Sequence, residues 1–216
     1  MEIFEAVIKG ERSVIESLLA ANPELVLIRN ASGIRPVMLA VYYGQAEIAE
    51  FLRSQMESIN FWEAAALGEI FVLQGMLSED SSWLDAFSPD GFTALGLATF
   101  FSQHAVQEWL LEQGADPNLA AQNSMAVRPI HSAAAIRNPA DALASVRLLV
   151  AYGAQVNVSQ QGGWTPLHQA ADHGNLPLVE FLLQVGADRT VKSSDGRTPA
   201  EMAAEKGFNE LAVLLR

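Results

Sequence analysis

The side chains able to bind a metal or move a proton are few in kind: four histidines, 25 carboxylates and no cysteine. Without a thiol there is no disulfide framework, no cysteine nucleophile and no zinc-thiolate site. The histidines stand at His104, His131, His168 and His173, and no two have the H-x-x-x-H spacing that puts a pair of imidazoles on one helical face. No G-x-S-x-G turn raises a serine nucleophile, and no G-x-x-x-x-G-K loop cradles a phosphate. Two carboxylates can act as general acid and base where one site holds both, but here they are scattered along the whole chain. The expectation is a protein without catalysis, metal or cofactor, which acts through its surface.

That surface must be carried by a repeating element, most legible from Gly163 to Asp188, GWTPLHQAADHGNLPLVEFLLQVGAD. Thr165-Pro166 starts a helix, because proline is tolerated in a first turn where its missing N–H would be unpaired anyway and the threonine hydroxyl can cap that turn. Ala170 and Ala171 keep the helix thin, and Gly174 supplies a turn. Leu178, Val179, Phe181, Leu182 and Leu183 then give a second helix its apolar face, closed by Gly186 near the C-cap. Such a hairpin cannot bury its apolar face alone and must stack on copies of itself.

The stretch resembles an ankyrin repeat, whose mark is T-P-L-H-x-A in a unit of about 33 residues. The full mark occurs at Thr165-Pro166-Leu167-His168-Gln169-Ala170. Drifted copies begin at Arg35, Thr93, Arg128 and Thr198, and two more follow the pattern only, around Ala6 and Ala64. The resemblance covers essentially the whole chain. It implies one all-α solenoid of stacked helical hairpins with short β-hairpin fingers, with seven units at 1–34, 35–58, 59–92, 93–127, 128–164, 165–197 and 198–216. It also implies that His131 and His168 hydrogen-bond between neighbouring units. Asn118 and Asn157 fall where members of the family can be hydroxylated.

Spacing exposes departures from the pattern. Ala6 and Ala64, Gly10 and Gly68, Gly33 and Gly91, and Ala40 and Ala98 are each 58 residues apart, so a two-unit block is duplicated. Ala40 and Ala64 are only 24 apart, which leaves no room for a finger between the second and third units and predicts a notch there. In the fifth unit, 136–141 lengthens the turn between the two helices. The last unit is the more polar one, as a terminal cap must be.

Composition narrows the partners. The formal charge of −12 argues against nucleic acid, since phosphate binding needs clustered Lys and Arg. No apolar run approaches the ~20 residues needed to span a bilayer, and the opening MEIFEAVIKGER lacks the basic-then-apolar order of a signal peptide, so a cytoplasmic monomer away from membranes is expected. Between Arg53 and Arg128 there is no Lys or Arg but there are ten Asp and Glu, a field that favours a basic partner.

The family resemblance also implies where a partner sits: on the concave face, built from finger residues and the exposed ends of the inner helices. At those positions stand Ile34, Phe92, Val127 and Trp164 on the fingers and Tyr42, Tyr43, Phe100, Phe101 and His173 at the helix ends. Aromatic residues are enriched at interface cores, so these nine are the expected contact residues for another protein with a basic and apolar segment. Of each adjacent aromatic pair, Tyr43 and Phe101, nearer the turn, are expected to be the buried members. The function that follows is a non-catalytic interaction module or scaffold. The alternatives are an inhibitor that blocks an enzyme with the same groove, or a solenoid that binds a small molecule.

Overall fold

The caps read in the sequence set the helix starts. Thr93, Thr165 and Thr198 each accept a backbone N–H of the following turn, and Pro36, Pro129, Pro166 and Pro199 occupy the first helical position. In the computed structural model, which describes residues 2–216, fourteen helices follow one another in pairs. The first four pairs are α1 (Glu2–Lys9) with α2 (Arg12–Ala21), α3 (Pro36–Tyr42) with α4 (Ala46–Ser54), α5 (Phe61–Leu67) with α6 (Ile70–Glu79), and α7 (Ala94–Phe100) with α8 (His104–Glu112). The last three are α9 (Pro129–Ala134) with α10 (Pro139–Ala151), α11 (Pro166–Asp172) with α12 (Leu176–Gln184), and α13 (Pro199–Glu205) with α14 (Asn209–Leu214).

The odd-numbered helices pack on one another as an inner layer and the even-numbered ones lie outside. Alanine lets the inner layer stack closely: Ala40, Ala64, Ala98, Ala133, Ala170 and Ala203 are all fully buried. One leucine in each outer helix from α4 to α12 drives the second layer inward, namely Leu52, Leu73, Leu110, Leu149 and Leu182, each with no exposure. Burial of each is worth ~1.5–3 kcal/mol. Of the lengthened segment of the fifth unit, 136–138 lie between α9 and α10 while 139–141 form the first turn of α10, so part of the added length extends that helix instead of the turn. No helix among the described residues is long and apolar enough to cross a membrane.

The fingers are turns rather than β-hairpins. Each is closed by one backbone bond at its base: Asn30 N–H to Ile34 O, Ser88 to Phe92, Ala121 to Val127, Gln160 to Trp164 and Ser193 to Arg197, at 2.8–3.0 Å. Strand pairing among the described residues amounts to an isolated bridge between Phe87 and Thr93. Only a few residues separate the two arms, which leaves no length for a ladder. From the third pair onward the fingers also bond to one another, through Gln122 N–H to Gly91 O, Gln161 N–H to Met125 O and Ser194 N–H to Gly162 O, at 2.7–2.9 Å.

The expected notch is closed on this finger edge. With no finger between α4 and α5, the turn at Gly33 meets the next one at Pro89 so closely that a Cβ on Gly33 would stand 2.7 Å from the proline. The short link folds its apolar residues inward, with Met56 and Ile59 buried. What remains between the two fingers is a cavity of about 20 Å³, room for a water molecule.

Candidate functional site

Three of the nine expected contact residues form one aromatic group. Tyr42, at the end of α3, lies 6.3 Å from Phe100 and 5.2 Å from Phe101, which are themselves 4.9 Å apart and edge to face. These are favourable geometries for aromatic pairs. They join the second helix pair to the fourth.

The members differ in what they offer. Tyr42 is half-buried, and its hydroxyl donates to Asp90 Oδ2 at 2.6 Å, so it ties an inner helix to the tip of a finger. Burial first and the neighbouring carboxylate second push the phenol well above its ordinary range, so it stays protonated. Phe100 is 49% exposed and Tyr43 53%. The assignment of Tyr43 as the buried member of its pair is therefore corrected: Tyr42 turns inward because Asp90 gives its hydroxyl a partner, and Tyr43 turns to solvent. For the other pair Phe101 is the less exposed, as expected.

The remaining positions do not join this group. Ile34 lines the small cavity beside Gly33. Phe92 and Val127 are half-buried at finger bases, where their backbone carbonyls accept the closing bonds. Trp164 leans over His168 at 6.4 Å, well along the stack from the aromatic group. His173 is half-buried, with Nδ1 unpartnered and Nε2 3.1 Å from Gln169 Nε2; burial holds its pKa below the ordinary value. The groove is thus an aromatic patch on α3 and α7 with a separate tryptophan, not a continuous aromatic lining.

His131 and His168 are structural staples. His131 Nδ1 accepts the Arg128 N–H at 3.1 Å, so the proton is on Nε2, which donates to Val158 O at 3.1 Å on the next finger. His168 does the same between Thr165 N–H and Arg197 O. Burial lowers the pKa of both, His131 to about 4. In the third pair this double task is divided. Glu63 caps the helix by accepting the Asn60 N–H at 2.9 Å, while Trp62 Nε1 donates to Ala86 O at 3.0 Å on the next finger. Counted from the cap Glu63 takes the histidine's place, and counted back from Gly68 Trp62 does. The sequence pattern missed Trp62 because a tryptophan there reads as core.

Charge is concentrated around the shortened junction. Buried Glu63, 2% exposed, pairs with Arg35 at 3.2 Å, and Arg53 grips Glu69 through two nitrogens, the outer at 2.9 Å. Asn118 and Asn157 hold finger backbone, each donating to a carbonyl (Gly153, Gly186) and accepting an N–H (Gln155, Asp188). Among the described residues no three His, Asp or Glu side chains are gathered as metal ligands.

Comparison with known proteins agrees with this architecture. The family described as "Ankyrin repeats (3 copies)" matches residues 3–121 and 130–216. The probable 26S proteasome regulatory subunit p28 of Saccharomyces cerevisiae is 27% identical over 80% of this chain and 79% of its own. The tyrosine-protein kinase Shark of Drosophila melanogaster is 38% identical over 46% of this chain and 10% of its own length. The ankyrin repeat protein nuc-2 of Neurospora crassa is 26% identical over 81% of this chain and 14% of its own. The chain thus spans about four-fifths of the yeast protein and a small part of the other two.

Proposed function

The chain belongs to the ankyrin-repeat family, a family of protein–protein interaction modules, and from that premise we propose that it is a non-catalytic adaptor that docks one partner protein on its concave face between α3 and α7. The observation that carries this reading is the aromatic patch: Phe100 is half exposed with Tyr42 and Phe101 packed against it, and Tyr43, next to Tyr42 in the chain, is exposed as well. Large, rigid side chains held in place lose little entropy on binding, which is what interface anchors require. The stretch from Arg53 to Arg128, free of Lys and Arg, supplies a negative field, so the partner segment is basic as well as apolar. The chain works as a cytoplasmic monomer, and the absence of cysteine suits a reducing compartment. Nucleic acid is not the partner, because the net charge of −12 repels phosphate.

Coverage of four-fifths of the yeast proteasome subunit makes a regulatory role on a large assembly the first to examine, and the 26S proteasome the first partner. Immobilised chain is offered purified 26S proteasome and cell lysate, beside a Tyr43→Ala/Phe100→Ala variant whose fold is checked by circular dichroism. Capture by the first and loss by the folded second supports the reading. Equal capture by both rejects the concave face.

A further inference from the structure

Two fingers of the stack are built alike, and one of them lacks a cation that the other holds. The finger before α7 reads Ser88-Pro89-Asp90-Gly91-Phe92-Thr93, and the finger before α13 reads Ser193-Ser194-Asp195-Gly196-Arg197-Thr198. In both, the serine N–H bonds to the carbonyl four residues on, the serine hydroxyl donates to the aspartate Oδ1 at 2.5 Å, and the threonine caps the helix. Before α13 the second aspartate oxygen holds a guanidinium: Arg197 donates to Asp195 Oδ2 through Nε at 2.8 Å and Nη2 at 2.5 Å, and through Nη1 to Glu205 at 2.7 Å. One arginine thus bridges the finger and the last residue of the inner helix.

Before α7 the corresponding residues are Phe92 in place of Arg197 and Phe100 in place of Glu205. Asp90 Oδ2 receives the phenol of Tyr42 instead, a neutral donor that leaves the charge unmatched. Two of the roughly four lone-pair sites of the carboxylate are then in use. Among the described residues no Lys or Arg lies within 4 Å of it. Arg29 and Arg35 line the same small cavity, but Arg35 pairs with Glu63 and Arg29 donates to Gly33 O. The rings beside Asp90 are unmatched too. Elsewhere the chain covers rings with its own arginines, Arg12 over Phe51 at 4.8 Å and Arg147 over Phe181 at 4.4 Å. Among the described residues none stands over Tyr42, Phe100 or Phe101.

We propose that this place takes an arginine side chain of the partner protein, its guanidinium donating to Asp90 while its plane lies against Tyr42 and Phe100. The inference rests on the reading of the concave face as the docking surface and names the residue that face selects. Arginine fits because its flat fork of donors matches a carboxylate and stacks on aromatic rings, as Arg197 and Arg147 do within the chain. Lysine offers a point charge without the plane, and a neutral side chain leaves the carboxylate without a counter-charge.

The test is a titration of the full ¹⁵N-labelled chain with three peptides, leucine–X–leucine with blocked ends, in which X is arginine, lysine or citrulline, the uncharged mimic of arginine. The arginine peptide should move the amide signals of Asp90, Gly91, Phe100 and Phe101, bind more tightly than the lysine peptide, and weaken as salt is raised. The citrulline peptide should bind about tenfold more weakly or worse, the loss of a charge-assisted hydrogen bond. Asp90→Asn keeps an oxygen for Ser88 and Tyr42 but removes the charge, and should bring the arginine peptide down to the level of citrulline. Asp195→Asn, on the finger that holds its own arginine, should bind like the parent. The comparison among peptides uses the parent chain, so it decides even where Asp90→Asn fails to fold. The proposal falls if lysine or citrulline binds as well as arginine, if folded Asp90→Asn binds like the parent, or if no peptide moves those signals. Capture of the 26S proteasome separates its failure from that of the reading beneath it. Capture kept by Asp90→Asn and lost by Tyr43→Ala/Phe100→Ala leaves the concave face standing and rejects the arginine; equal capture by both variants and the parent rejects the face itself.

Discussion

The two ends of the stack solve the same problem with different chemistry. From α9 to α13 the units are joined by repetition: a neutral histidine spans from its own cap to the next finger, and finger bonds to finger through backbone. From α3 to α7 the joints are singular: an ion pair from half-buried Arg35 to buried Glu63, a phenol on Asp90, an indole on Ala86 and an uncovered turn at Gly44. Removing one finger broke the chain of backbone bonds, and polar side chains hold the gap instead. Backbone joints use up their donors and acceptors within the fold. The side-chain joints leave exposed aromatic faces and an uncovered turn, so the irregular part carries the candidate site.

The sharpest test of this contrast sets ion pairs from the two regions against each other. Glu63→Ala removes the helix cap and the charged partner of half-buried Arg35, and should cost ~1.5–3 kcal/mol in urea unfolding. Arg197, partly exposed between the exposed carboxylates of Asp195 and Glu205, should move the urea midpoint little when replaced by alanine. Acid should act on the regular region. The folded pKa of His131, about 4, lies below its ordinary 6.5, so the unfolded chain takes up the proton first as pH falls. Its contribution is whole above pH 6.5 and is lost towards pH 4, by at most ~1.4 kcal/mol per pH unit. His168 is shifted the same way. Urea midpoints measured from pH 7 downwards should fall, and hydrogen exchange should rise first in α9 to α13.

Glycines give a smaller contrast. Gly33 and Gly196 both hold positive φ, 75° and 85°, but only Gly33 has a neighbour in the way. Gly196→Ala should cost the ~1–2 kcal/mol of a left-handed residue, and Gly33→Ala distinctly more, because Pro89 must move. Trp62→Phe keeps the ring and removes the bond to Ala86, and should cost ~1 kcal/mol of unfolding free energy.

Much of this fold was legible because its determinants are local. Thr165-Pro166, the paired alanines and the glycine turns announce each hairpin wherever they stand, and a spacing of 24 residues shows that a finger is missing. What the missing finger does was not legible. Whether the gap stays open or closes depends on Gly33 meeting Pro89 and on Tyr42 finding Asp90, contacts between residues 56 and 48 positions apart. The same distance hid which of Tyr42 and Tyr43 turns outward, because helical periodicity gives two directions and only a tertiary partner chooses. Trp62 was hidden for another reason: it performs half of a histidine's task with a side chain that usually means packing.

The most direct test of the central claim is hydroxyl-radical footprinting of the chain, free and bound to the partner it captures. The account predicts that oxidation of Tyr43 and Phe100 falls sharply in the complex while the exposed residues of α12 and α14, Leu176 and Val213, react as before. Protection at Leu176 or Val213 with Tyr43 and Phe100 still reactive would contradict it, and would place the partner on the regular end of the stack.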